Sequence, residues 1–151
     1  MDITNPIKPI YDKNSAILIL GTIPSPKSRE AGFYYSHPQN RFWRTIAAVL
    51  DEKLPTTIDE KKALLIRNKI ALWDVLASCK ISGADDNSIK DFVVNDFTVL
   101  FETTSIKAVF TTGKKAANCL KNIVNKDMDL KQIIFHQQAR PTVKFHSKIW
   151  F

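Results

Sequence analysis

The sequence predicts an α/β fold, a parallel sheet with right-handed crossovers and helices on both faces. Three observations carry that reading. Runs of consecutive apolar residues at 16–20, 70–73 and 106–110 read as strands buried on both faces. Segments with helical periodicity separate them, the pattern of βαβ units. A long polar and aromatic loop, residues 21–43, leaves the first run at its carboxyl end, where open α/β sheets hold their ligands.

At 151 residues, the chain fits a single domain spanning 1–151. With 44% hydrophobic and 25% charged residues it reads as globular, and no apolar run is long enough for a membrane span. The start, Met1-Asp2-Ile3-Thr4-Asn5, lacks the basic and apolar regions of a signal peptide, so a cytoplasmic location is expected. A net charge of +7 favours an anionic partner through counterion release, the alternative being a merely solvated basic surface. Cys79 and Cys119 stand alone in apolar settings and read as reduced thiols. Without a Cys-x-x-Cys motif, and with three histidines at irregular spacing, neither a metal nor another cofactor is expected.

In chain order, residues 1–15 with Pro6 and Pro9 read as an irregular lead-in to the first strand. After the loop, Phe42, Ile46, Val49 and Leu50 share one face of a helix over 41–50, with Asn40 in the N-cap position. Thr57 and Glu60 make a capping-box pattern for a helix running to about Asn68. The second strand, 70–73, leads into 74–78, read as a loop or short helix. A turn cluster at 83–88 precedes a helical pattern of Ile89, Phe92, Val93, Phe97 and Leu100, interrupted near Asn95 and Asp96. The third strand passes through Thr111-Thr112-Gly113 into a helix whose first turn carries Lys114 and Lys115. Two lysines there oppose the macrodipole, which a bound phosphate would relieve, although two solvated lysines also fit. A fourth strand is expected over 131–135. Neither Gly-x-Gly-x-x-Gly nor a Walker lysine loop occurs.

The strings Gly21-Thr22-Ile23-Pro24-Ser25 and Gly32-Phe33-Tyr34-Tyr35-Ser36-His37-Pro38-Gln39-Asn40-Arg41-Phe42-Trp43 resemble the first motif of the DNA-deoxyinosine (hypoxanthine-DNA) glycosylases, a branch of the uracil-DNA glycosylase superfamily. The resemblance continues through Leu72-Trp73-Asp74-Val75-Leu76, residues 83–89, Asn95-Asp96-Phe97 and Thr112-Gly113-Lys114-Lys115-Ala116. It implies a three-layer α/β/α fold around a central four-stranded parallel sheet. It also implies a metal-free, monofunctional enzyme of base-excision repair, for which a monomer is expected. Such an enzyme flips a deaminated base, hypoxanthine above others, from double-stranded DNA and hydrolyses its N-glycosidic bond.

On that resemblance Gly21, Thr22, Ile23, Pro24 and Ser25 line the base pocket. Phe33, Tyr34 and Tyr35 are candidates for its stacking face, with ordinary core packing as the alternative for each. Other branches of the superfamily orient water with an Asp or Asn just before the motif's proline, and Ile23 cannot do this. Asn40 is the nearest polar group that the family pattern offers. Its rival role is capping the following helix, since one side-chain oxygen serves both duties poorly. His37 is a candidate for base or phosphate contact, or a rigid His-Pro turn. Ser28, Lys114 and Lys115, with Ser25, are the candidate phosphate contacts. A uracil or mismatch glycosylase and an inactive DNA-binding remnant are the competing readings.

The family's second motif, a Pro-Ser-Thr-Ser-Pro-Ala-Asn type of loop, is missing. In its place stands Phe135-His136-Gln137-Gln138-Ala139-Arg140-Pro141-Thr142. Translated from the third base of the Phe135 codon, codons for this stretch permit Pro, Ser, Thr, Ser, Pro, Ala or Pro, and Asn in succession. A single-base slip is therefore expected near Phe135, leaving 136–151 as a non-native, poorly ordered tail. Sequencing the 3′ end of the gene is expected to recover the motif in the shifted frame, and an uninterrupted frame with no motif nearby would dispose of the idea.

Overall fold

A computed structural model of the protein describes residues 1–124 and 134–138. In chain order the elements are β1 (Asp2–Thr4), β2 (Ile17–Gly21), α1 (Pro26–Ala31), α2 (Phe42–Val49), α3 (Ile58–Arg67) and β3 (Ile70–Asp74). There follow β4 (Leu76–Ser82), β5 (Asp85–Val94), α4 (Thr98–Thr103), β6 (Ala108–Thr112), α5 (Lys114–Val124) and β7 (Ile134–Gln138).

The central sheet runs in the order β3-β2-β6-β7 with every neighbouring pair parallel. Its apolar strands fill both faces by alternation, because successive side chains of a strand point to opposite sides. Ile17 and Ile19, with Ile70 and Leu72, pack beneath Phe42, Trp43 and Ile46 of α2 and Leu64 and Leu65 of α3. Leu18, Leu20 and Ala71 face the other way, toward Leu100 of α4 and Ala116 and Leu120 of α5. Each fully buried Leu or Ile of this kind contributes roughly 1.5–3 kcal/mol of transfer free energy.

The expected layers, helices on both faces of one four-stranded parallel sheet, are present but do not account for the whole molecule. The second face is also covered by a separate antiparallel sheet in the order β1-β4-β5. Cys79 and Ile81 of β4 and Ile89 of β5 belong to the same apolar cluster as Leu18 and Leu20. Residues 76–94 are thus a β-hairpin, where the sequence suggested a loop or short helix and then a longer helix. The misreading has a definite cause. Ser78 pairs with Val93 but Lys80 pairs with Lys90, so β5 carries an extra residue across that interval. Asp91, with φ of 50°, stands in it as a β-bulge. The bulge lets Ile89 and Phe92, three residues apart, join one apolar cluster, imitating the spacing of a helix. Only Thr98–Thr103 of that stretch is helical.

The lead-in is likewise more ordered than its prolines suggest. Ile3 pairs with Cys79, while Ile7 and Ile10 are buried, Ile10 bridging to Leu72. The helix ends follow expectation more closely: the Thr57 hydroxyl accepts the Glu60 amide at 3.1 Å. The fourth parallel strand spans Ile134–Gln138, and the rest of the expected tail, 139–151, lies outside the described residues.

Candidate active site

The register of the central sheet brings three strand ends to one level. Gly21 ends β2 opposite Asp74 at the end of β3, and Leu20 pairs with Thr111, one residue before Thr112. The approach is so close that a Cβ on residue 21 would lie 2.6 Å from Asp74 Oδ1 and 3.0 Å from the Tyr35 hydroxyl. Glycine is required here for want of space. Beyond it the chain is stitched to the segment after β3, since Val75 and Leu76 donate their amides to the carbonyls of Gly21 and Thr22 at 2.8 and 3.0 Å.

Pro24-Ser25 then starts α1, with the Ser25 hydroxyl accepting the Ser28 amide at 3.2 Å and Pro26 at the first helical position. Gly32, at φ of 72°, ends the helix. The Ser36 amide donates to Ser28 Oγ at 3.1 Å and the Ser36 hydroxyl donates to the Phe33 carbonyl at 2.7 Å, closing the loop back on α1. Within that closure Tyr35 adopts a left-handed backbone, φ of 51°, which a non-glycine residue adopts only when its surroundings hold it there. The turn separates two adjacent rings. Tyr34 runs into the core, its hydroxyl donating to the Lys8 carbonyl at 2.7 Å. Tyr35 stacks on Phe42, ring centroids 4.0 Å apart, with its hydroxyl 3.4 Å from Thr112 Oγ1.

These groups surround a pocket of about 220 Å³ at the carboxyl ends of β2, β3 and β6. That is below the roughly 300–1,000 Å³ of a drug-sized site and suits one flat heterocycle. Gly21, Thr22, Ile23, Pro24, Ser25 and Ser28 line one side, with Tyr34, Tyr35 and Asn40 beside them. The remaining wall is Asp74, Thr112 and residues of the hairpin, Ile81, Gly83, Ala84 and Asp86.

The electrostatics centre on Asp74. Its carboxyl is pushed up to about 7, chiefly by burial and further by the charge of Asp86, while a hydrogen bond from Asn5 Nδ2 to Oδ2 at 3.2 Å works in the opposite direction. Burial, and then Asp74, raise Tyr34 and Tyr35 well above the ordinary phenol value, so both remain neutral. Asp86 is also raised, by burial and by Asp85, against the pull of Lys115.

Several residues singled out in the sequence stand elsewhere. Phe33 is buried in the core, its ring stacked on Trp43 with the Lys61 ammonium 5.9 Å from its centroid, so it offers no stacking face. His37 is exposed and does not line the pocket, and its Nδ1 accepts the Gln39 amide at 3.1 Å, as in a rigid His-Pro turn. Ser28 is buried and its oxygen is occupied by the Ser36 amide and the Ser25 hydroxyl, which leaves it a poor phosphate contact. Lys114 and Lys115 open α5, just after the pocket residue Thr112. The N-cap of α2 is Arg41, which makes no side-chain cap bond; Asn40 stands one residue earlier, and its Oδ1 accepts the Phe42 amide at 2.8 Å as the chain turns into the helix. Asp74, Thr112 and the hairpin residues are additions. Asp74 had a visible cue, since it terminates an apolar strand at the same end of the sheet as Gly21.

Among the described residues, no cluster of three or more His, Cys, Asp or Glu side chains is arranged to hold a metal ion, and no helix is long and apolar enough to cross a membrane.

A parallel sheet with a pocket of about 220 Å³ over its strand ends defines an α/β protein with a small site at the carboxyl ends of its strands. The family model for the Uracil DNA glycosylase superfamily matches residues 8–148, and the chain belongs to that superfamily. It is 39% identical over 110 residues to a Hypoxanthine DNA glycosylase of Methanosarcina barkeri, covering 72% of this chain and 70% of the relative. A second Hypoxanthine DNA glycosylase, from Methanosarcina acetivorans, is 37% identical over 109 residues, covering 71% and 69%. The solution NMR structure of a candidate uracil DNA glycosylase from M. acetivorans superimposes with a TM-score of 0.73 at 26% identity, covering 99% of this chain and 94% of that one.

Proposed function

We propose that the chain is a DNA glycosylase of base-excision repair that hydrolyses the N-glycosidic bond of hypoxanthine in double-stranded DNA. The pocket at the ends of β2, β3 and β6 carries the proposal, because its volume suits one extruded base, and the relatives at 37–39% identity that are named Hypoxanthine DNA glycosylase support it. The +7 charge supports attraction to the phosphate backbone, and a cytoplasmic setting suits such an enzyme.

Asn40 orients the attacking water. A carboxamide oxygen has two lone pairs; one takes the Phe42 amide, and the other is free to accept from water. The bond to α2 fixes the carboxamide, so water is held without reorganisation as positive charge grows on the sugar. Thr22 to Ser25 hold the base, Tyr35 lies against it from the pocket wall, and Lys114 and Lys115 approach the DNA backbone.

Single-turnover assays on duplexes carrying hypoxanthine, uracil or no lesion test this. The expected result is release of hypoxanthine, slowed about 10²- to 10³-fold by Asn40→Ala with duplex affinity little changed. Equal release by both proteins would remove Asn40 from its role. Salt-sensitive binding without release by either would leave only a DNA-binding remnant.

A further inference from the structure

We propose that Asp74 is a second catalytic group of the pocket: its carboxyl, through Oδ1, hands a proton to the imidazole nitrogen N7 of the flipped purine as the bond between C1′ and N9 breaks. This rests on the reading of the protein as a hypoxanthine glycosylase and assigns that pocket its acid.

The geometry singles out one atom. Asp74 is 3% exposed and lines the pocket. Oδ2 is held by Asn5, whereas Oδ1 accepts no hydrogen bond from the described residues and lies 2.6 Å from the point where pocket residue Gly21 would carry a Cβ. Among the described residues no ion pair reaches the carboxyl. The ion pairs among the described residues are Arg67 with Glu52 and Lys80 with Asp91, both away from the pocket lining. The titratable group acting on Asp74 is Asp86 of β5, on which Lys115 of α5 acts in turn, while the neutral phenols of Tyr34 and Tyr35 feel the Asp74 charge and add none of their own. Each favours or tolerates a neutral carboxylic acid, and the resulting value of about 7 suits a general acid near neutral pH.

The chemistry balances. The C1′–N9 bond breaks heterolytically and its electron pair goes to the imidazole ring. N7 takes the Asp74 proton, so hypoxanthine leaves as the neutral 7H form. The water at Asn40 adds to C1′ and loses one proton to solvent. The Asp74 carboxylate regains a proton from solvent, so one water is consumed and one base released. Uracil has no basic ring nitrogen to accept a proton in this way, so the same acid favours a purine over a pyrimidine.

The test is single-turnover release between about pH 5.5 and 9 on duplexes carrying hypoxanthine or 7-deazahypoxanthine, for the wild type and Asp74→Asn. Wild-type release of hypoxanthine is expected to fall about tenfold per pH unit above about pH 7. Asp74→Asn is expected to be about 10²- to 10³-fold slower at pH 6, flat across the range and nearly unchanged in duplex affinity. The 7-deaza duplex should be processed slowly and equally by both proteins. A variant keeping the wild-type rate and slope, or fast wild-type release of the 7-deaza base, would overturn the role of Asp74 alone. Absence of hypoxanthine release by the wild type would overturn the glycosylase reading and this role with it. Were Asp74→Asn not to fold, the wild-type pH profile and the 7-deaza substrate would decide.

Discussion

Gly21→Ala is expected to lower base release by at least about 100-fold and to destabilise the protein by about 1–3 kcal/mol, the usual range for a side chain forced into a packed site. The added methyl carbon would sit 2.6 Å from Asp74 Oδ1, a distance that real Cβ atoms essentially never keep, and 3.0 Å from the Tyr35 hydroxyl, tighter than nine in ten such contacts. One of the two must move, and both are pocket walls. Tyr35 is held by its stack on Phe42 and its left-handed backbone, and Asp74 by Asn5, so neither moves without disturbing the site. Gly32→Ala is the control. It strains a backbone at φ of 72° but meets no atom within 4 Å, so it should lose about 1 kcal/mol of stability and keep its activity. Single-turnover rates and urea titrations on both variants decide the matter. A Gly21→Ala protein with the parent rate would mean that the chemistry lies away from this junction.

Asp74→Asn is expected to make the protein more stable at alkaline pH while making it slower. The folded carboxyl titrates near 7, against an ordinary value of 3.8, because burial disfavours its charge. Between those values the folded protein holds a proton that the unfolded chain has released. The group's contribution is therefore fully present below pH 3.8 and is lost as pH rises through 7. Three pH units correspond to a loss on the order of 4 kcal/mol. An amide at this position carries no charge at any pH and still accepts from Asn5. Urea titrations at about pH 5 and pH 8 should show the variant gaining about 4 kcal/mol over the parent at the higher pH and about 1–2 kcal/mol at the lower. Parallel pH dependences in the two proteins would contradict the buried carboxyl. The opposition of the two effects is what a group kept for chemistry at the expense of stability produces.

The parts of the fold legible in the sequence are those where a single cause dominates. Strands β2, β3 and β6 could be read because consecutive apolar residues have no other place to go than a sheet covered on both sides. The α3 cap was equally plain, Thr57 and Glu60 being a local device. The hairpin was obscured by the bulge at Asp91, which converts a two-residue period into one that a helix also satisfies. In the site, Gly21 to Ser25 fall where the loop after a first strand must fall. The aromatic string Phe33-Tyr34-Tyr35 was less readable, because a left-handed backbone at Tyr35 decides which rings turn inward, and nothing in the side chains announces it. Asp74 was missed as a site residue because a carboxylate after an apolar run reads as a solvated turn. Its burial comes from β4 and β5 folding over it, and from Asn5.

That last contact links residues 69 positions apart and orders events on the ribosome. Asn5 emerges long before Asp74 is synthesised, and β1 finds its partner β4 only after the hairpin strand has left the exit tunnel. The central strands β2 and β3 can pair earlier in synthesis, but the carboxyl at their ends stays wet until the amino-terminal residues return to cover it. A nascent chain would therefore pair its first two parallel strands before it covers its acid, and would complete the pocket only when β6 brings Thr112 to them. That delay also withholds the hydrolytic pocket until the surrounding layers are in place.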